Sequence, residues 1–215
     1  MVSATQKAAH AFEFSGGELC LDFANTVAHR GDAQRRVDRL ASFADLLEWS
    51  RQAGTISDAD RSQLKRAADR APAAARRTLG RAVALREAIY RAMSAHAAGR
   101  SIPGPAIDTI SREAAIAASH RRIVAERGGG FAWSWSVTND RLDRPIWPVA
   151  WSAADLATSA RVNHVRECAL ETCAWLFLDS SRNQTRRWCD MRVCGNRAKV
   201  RRFYQRQQLK LQALH

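Results

Sequence analysis

No stretch of this sequence is apolar for the roughly 18–20 residues that a bilayer-crossing helix requires. The opening residues, MVSATQKAAHAFEFSGG, have neither the basic start nor the continuous apolar run of a secretory signal. Internal repeats, low-complexity tracts and obvious flexible linkers are missing too. So are the common enzyme signatures: no G-x-S-x-G, no glycine-rich phosphate loop between a strand and a helix, and no H-E-x-x-H. The six histidines are scattered, with His10 and His215 near the ends. Acidic residues vanish after Asp190. These absences lead to the expectation of a cytoplasmic protein that does not bind membranes and is not an enzyme.

What is present fits a soluble globular chain. A length of 215 residues, 46% hydrophobic residues and seven tryptophans allow a substantial apolar core and a small appendage. The formal net charge is +13, which favours a polyanionic partner, nucleic acid first. From Arg161 to His215 twelve Lys or Arg face four Asp or Glu, so most of the excess sits in the last quarter.

Periodicity predicts mainly helix. In FSGGELCLDFANTV, Ser15 and Glu18 have capping-box spacing, and Cys20, Phe23, Ala24 and Val27 fall on one helical face. LASFADLLEWSRQAG is an amphipathic helix closed by Gly54, and the next begins at Ser57 as N-cap. Residues 73–98 form a long helix weakened at Gly80, and residues 105–126 another, stopped by Gly128, Gly129 and Gly130. FAWSWSV alternates like a strand, TNDRLDRPIWPVAWS is turn-rich, and a last helix capped by Ser152 runs toward the cysteines.

Five cysteines occur, Cys20 alone and Cys168, Cys173, Cys189 and Cys194 as C-x4-C-x15-C-x4-C. Cys20 reads as a small core residue. The intervening segment suits a hairpin: WLFLD outgoing, SSRNQ turning, TRRWC returning. In a reducing compartment, two close pairs suit one Zn²⁺ held by four thiolates with no open position, so the site reads as structural. Two disulfides, four unrelated thiols or a four-cysteine iron site are the alternatives. The H-x-E…P-C-x-x-C pattern of zinc deaminases is absent.

Beyond Cys194, Gly195-Asn196 is a turn signal and RAKVRRFYQRQQLKLQALH a helix. Val200, Phe203, Tyr204, Leu211 and Leu214 share a side expected to pack on the cysteine module, leaving Lys199, Arg202, Arg206 and Lys210 as an outward basic ridge. The candidates for nucleic-acid contact are Arg186, Arg187, Arg197, Lys199, Arg201, Arg202 and Arg206, because a guanidinium fork grips phosphate or the guanine edge in two places. A merely solvated charged face is the plainer alternative.

RWCDMRVCGNRAKVRRFYQR resembles the CGNR zinc finger, whose tetrapeptide stands here as Cys194-Gly195-Asn196-Arg197, and CALETCAWLFLDSSRNQTRRWC resembles its first half. GGELCLDFANTV, ADLLEWSRQAG, ALREAIYRAM and LDRPIWPVAWSAADL resemble the ABATE domain usually fused to it, a domain labelled a stress-induced transcription regulator. The one small departure is Ala174, where a glycine is expected after the second cysteine. The resemblance implies a helical N-terminal domain, one structural zinc and DNA binding.

The expected architecture is therefore mainly α: a helical N-terminal domain with a small β element over residues 1–160, then a four-cysteine zinc-finger module of β-hairpin and helix over 161–215. DNA is the expected partner, with RNA, a homodimer or a small-molecule effector as further candidates. Asp22, Asn25, Arg86, Trp133 and Trp147 could line an effector pocket, with Thr26, Trp135 and Trp151 nearby. A buried hydrogen-bond network with aromatic packing is the simpler reading of the same residues. A sensor or RNA- or protein-binding module, with the finger used for docking or dimerisation, is the alternative function.

Overall fold

The structure is a computed structural model that describes residues 11–136 and 141–212, with side chains as far as residue 207. Its order is α1 (Leu19–Ala24), β1 (Val27–Ala28), β2 (Val37–Asp38), α2 (Phe43–Gln52), α3 (Asp58–Arg70), α4 (Pro72–Ala97), α5 (Gly104–Ser119), β3 (Arg121–Ala125), β4 (Phe131–Trp135), α6 (Trp147–Thr158), β5 (Val165–Glu167), β6 (Leu176–Leu178) and α7 (Asn196–Gln212). Mainly α with small β elements, it matches the expected class. No described helix is long and apolar enough to cross a membrane.

Local chemistry sets several boundaries. Ser42 and Ser57 open α2 and α3 with complete capping boxes, each closed by an aspartate three residues on. Pro72 stands in the first turn of α4, where its missing N–H costs nothing. The α4 stripe of Ala82, Leu85, Ala88, Ile89 and Met93 is buried, and α1, α2 and α5 pack against the helix. Phe23 meets Trp49 edge-on at 4.8 Å in the same core. Gly80 has no neighbour within 4 Å of a would-be Cβ, so it fills no packing role.

Five expectations need correction. Ser15 does not cap α1; Glu18 holds that position and makes no side-chain cap. The helix expected to reach residue 126 ends at Ser119, and Arg121–Ala125 pairs antiparallel with Phe131–Trp135. There the β-branched Ile123 and Val124 prefer the pleat, and Gly128, Gly129 and Gly130 turn the hairpin with φ of 109°, 99° and 99°. The turn-rich reading of WPVAWS also fails: α6 begins at Trp147, with Pro148 in its first turn. Ser152 lies inside that helix, where its hydroxyl accepts the Cys20 N–H at 3.2 Å. Finally, the chain leaves α6 through a 3₁₀ turn at Ala160–His164 and enters β5, so no helix runs into the cysteines.

Strand β6 pairs with β5, and the packing of β5 on α4 and of β6 on α1 ties the C-terminal segment to the helical body. Val165 and Leu176 belong to the main apolar core. The Asn25 amide donates to the Leu176 carbonyl at 2.8 Å and accepts its N–H at 2.9 Å, acting as an extra strand residue. Next to it, the Leu178 N–H donates to the Gly16 carbonyl at 2.7 Å, and the Gly16 N–H donates to Asp22 Oδ1 at 2.7 Å.

Burial pushes the Asp22 carboxyl up to about 6, with Glu18 adding to it and the Gly16 N–H opposing it. The folded state therefore holds this proton more tightly than the unfolded chain. The stability it contributes is full below about pH 4 and is lost as pH rises through about 6, a loss of up to about 3 kcal/mol. Asp22→Asn keeps the acceptor and removes the charge. Denaturant unfolding at pH 5 and pH 7.5 should show the variant gaining on the wild type by about 1–3 kcal/mol at the higher pH. A variant that loses ground there contradicts the assignment.

Candidate metal centre and basic face

The four clustered cysteines come from two loops. The first lies between β5 and β6: the Cys168 N–H donates to the Trp175 carbonyl at 2.8 Å and the Cys173 N–H to the Leu170 carbonyl at 2.7 Å. Ala174 then takes φ 54°, a left-handed conformation that favours glycine. The second loop is a wide helical turn, Met191–Gly195, running directly into α7. Asp190 caps it by accepting the N–H groups of Arg192 at 2.6 Å and Val193 at 2.9 Å. Gly195-Asn196 is thus helix, not the expected turn, and a Cβ at Gly195 would sit 2.5 Å from the Met191 sulfur.

The expected hairpin also needs correction. The strand Leu176–Leu178 pairs with β5, not with the returning TRRWC segment. Instead, Asp179 shapes the return. Its Oδ1 accepts from the Ser181 N–H at 2.9 Å and its Oδ2 from the Arg186 N–H at 3.0 Å. Burial acts to raise this carboxyl, but the bond from the Ser181 hydroxyl together with those N–H bonds outweighs it and holds it below its usual range. A single backbone bond, Ala169 N–H to the Arg187 carbonyl at 2.8 Å, then brings the second cysteine pair to the first.

Together these loops place the Sγ atoms of Cys168, Cys173, Cys189 and Cys194 within 4.8 Å of one another. Cys173 and Cys189 are 3.7 Å apart, and Cys189 and Cys194 are 3.6 Å apart. A tetrahedral zinc with bonds of about 2.3 Å needs sulfurs about 3.8 Å apart, so the donor set fits. Hydrogen bonds from the other three thiols draw Cys168 down, while the bond to Cys168 is the chief influence that pushes Cys173 and Cys189 up. Four thiols this close cannot all ionise unaided; a divalent cation is what permits it. The cluster is a zinc-binding site whose four tetrahedral corners are all protein sulfurs, hence structural.

A model of the ABATE family, described as "Putative stress-induced transcription regulator", matches residues 17–160, and a model of the CGNR zinc finger matches residues 164–207. The chain belongs to the ABATE family. No curated protein matches it. In this ABATE chain the two matched segments are joined by the packing of β5 on α4 and of β6 on α1, and by further contacts. The Trp175 indole donates to the Val27 carbonyl at 2.8 Å, and Gly31 lies so close to the first cysteine loop that a Cβ would fall 1.7 Å from the Glu171 carbonyl oxygen. Trp175, Asp179 and Asp190 were not singled out by sequence reasoning. The aspartates carry a usable signal, since each precedes a turn.

The basic residues divide into groups. Arg186 is turned inward: its guanidinium donates to the Trp188 carbonyl at 2.9 Å and to the Cys189 carbonyl, and lies 4.4 Å from the Phe177 ring centroid. That gives it a structural task within the finger. Arg187, Arg197, Lys199, Arg201, Arg202 and Arg206 are exposed. Arg201 pairs with Glu171 at 3.2 Å, and Arg187 and Arg202 lie 5.6 and 5.9 Å from the Trp188 ring centroid. The apolar side of α7 does not pack on the module: Val200, Phe203 and Tyr204 are 55%, 54% and 63% exposed. Lys210, Leu211 and Leu214 lie outside the described side chains.

The candidate pocket residues are not brought together. Asn25 clamps β6, and Asp22 holds Gly16. Arg86 is buried and bidentate to Asp38 at 2.6 and 2.7 Å, with Nε on Glu87 at 2.9 Å. Burial acts to raise Asp38 and Glu87, but hydrogen bonds from Arg86 and Arg30 hold both below their usual range. Trp147 is buried and stacks on His120 at 3.9 Å, whereas Trp133 is 57% exposed. The Arg121 guanidinium fills the space between Trp133, Trp135 and Trp151, at 4.8, 5.1 and 4.2 Å from their centroids. Cys20 is fully buried, and burial pushes its thiol to about 12, as a core residue requires.

The purified protein should carry one zinc per chain, and Cys189→Ser should lower that content and the stability of the finger. Undiminished zinc in the variant, by elemental analysis, contradicts the site. Ala174→Gly should relieve the left-handed strain and stabilise the finger by about 1 kcal/mol, read from denaturant midpoints.

Proposed function

We propose that this chain is a cytoplasmic, stress-responsive transcription regulator that binds DNA through its zinc finger and acts by binding, not by catalysis. The observation that carries this reading is α7. The helix leaves the metal turn without a break, exposes Arg197, Lys199, Arg201, Arg202 and Arg206, and has no acid in the sequence after Asp190 to balance them. Like charges along one helix repel, so the helix is best neutralised by an external polyanion. Zinc gives no chemistry to this role. It fixes the start of the helix through Cys194, so the basic side chains are presented in one orientation. The family description points the same way.

The test is the salt dependence of binding, measured by fluorescence anisotropy with the zinc-loaded chain and labelled duplex DNA of random sequence. Affinity should fall steeply with salt, and each phosphate contact removed should flatten the log–log slope by about 0.9. Replacing Arg197 and Arg206 with glutamine should therefore reduce the slope by about two units. Binding that ignores salt, or that survives both replacements unchanged, rules the reading out. Preference for single-stranded RNA in competition shifts the partner from DNA to RNA.

A further inference from the structure

We infer that the outward face of α7 reads base edges in the major groove of duplex DNA and prefers A·T pairs. This rests on the proposal that the finger binds DNA. The helix touches the module along one side only. Ala198 is its one partly buried residue between 196 and 207, with the Arg201–Glu171 pair at 3.2 Å to one side of it and Arg202, 5.9 Å from the Trp188 ring, to the other. At about 100° per residue, the opposite side carries Val200, Phe203, Tyr204 and Gln207. All four are exposed. Arg197 borders this stripe on one edge, and Lys199 and Arg206 border it on the other.

An exposed apolar stripe between two basic edges restricts what can cover it. A second copy of α7 would set like charges against each other along both edges. A duplex does the reverse: its major groove is about 12 Å wide, close to the diameter of a helix with its side chains, and phosphates line both rims. The order basic, apolar, basic across the helix matches phosphate, base edge, phosphate across the groove.

The stripe also has a chemistry. Val200, Phe203 and Tyr204 suit apolar contact with the thymine methyl group, and the Gln207 amide suits the paired donor and acceptor of adenine. Both features belong to A·T pairs. The side chains that read guanine, Arg and Lys, stand on the edges, where they face phosphates.

Selection of bound duplexes from a randomised pool, using the full zinc-loaded chain, tests this. The wild type should enrich a short A·T-containing motif. Gln207→Ala and Val200→Ser should each reduce the preference for that motif about tenfold. Their zinc content, affinity for random duplex and salt slope should stay as in the wild type. A selected motif without A·T enrichment, or one unchanged in both variants, overturns the inference and leaves phosphate binding standing. Wild-type protein that retains no duplex at low salt overturns the functional proposal itself. Stronger retention on single-stranded DNA, or on phosphatidylglycerol vesicles, overturns the groove reading in favour of those partners.

Discussion

Four sulfur atoms held around one cation are the constraint on which the C-terminal part of this protein depends. The apolar cluster of the finger consists of Cys168, Leu170, Trp175, Phe177, Cys189 and Cys194, with Cys173 and Trp188 at its edge. Half of its buried members are ligands. A segment this short cannot bury enough apolar surface to order its loops, so the metal supplies much of the missing cohesion. The hydrogen bonds around it, from Asp179, Asp190 and Arg186, shape the loops but do not by themselves close them on one another.

The finger is nevertheless no separate bead. Strand β6 has one side chain in each environment: Leu176 lies in the main core and Phe177 in the metal cluster. Asn25, Trp175 and Gly31 fasten the same segment from the helical side. Of the polar residues of the LDFANTV stretch, Asn25 thus serves the seam between the two parts directly and Asp22 serves it through Gly16. Through this seam and Cys194 the orientation of α7 is set relative to the ABATE helices.

Much of this was legible in the sequence because it is local. Ser42 and Ser57 announce their helices through residues three positions away, and the spacing of the four cysteines identifies the zinc site. What could not be read is long-range. WLFLD has a plausible partner in the segment that follows it, yet pairs with Val165–Glu167, which helical periodicity had absorbed. Periodicity also showed that Val200, Phe203 and Tyr204 share a side of α7, but not that this side faces solvent. That choice follows from the metal turn that launches the helix, and it leaves Arg201 beside Glu171 and Arg202 beside Trp188 on the opposite side. Arg186 looked like its neighbours in a basic run; only the folded loop shows its guanidinium turned onto carbonyls and the Phe177 ring.

The claim that the metal organises the finger, while the ABATE helices stand on their own core, is tested most directly by amide hydrogen exchange with and without a zinc chelator. The account predicts that protection is lost from residues 168–195 on metal removal, while α4, α5 and α6 keep theirs. Equal protection of the finger in both states would contradict it.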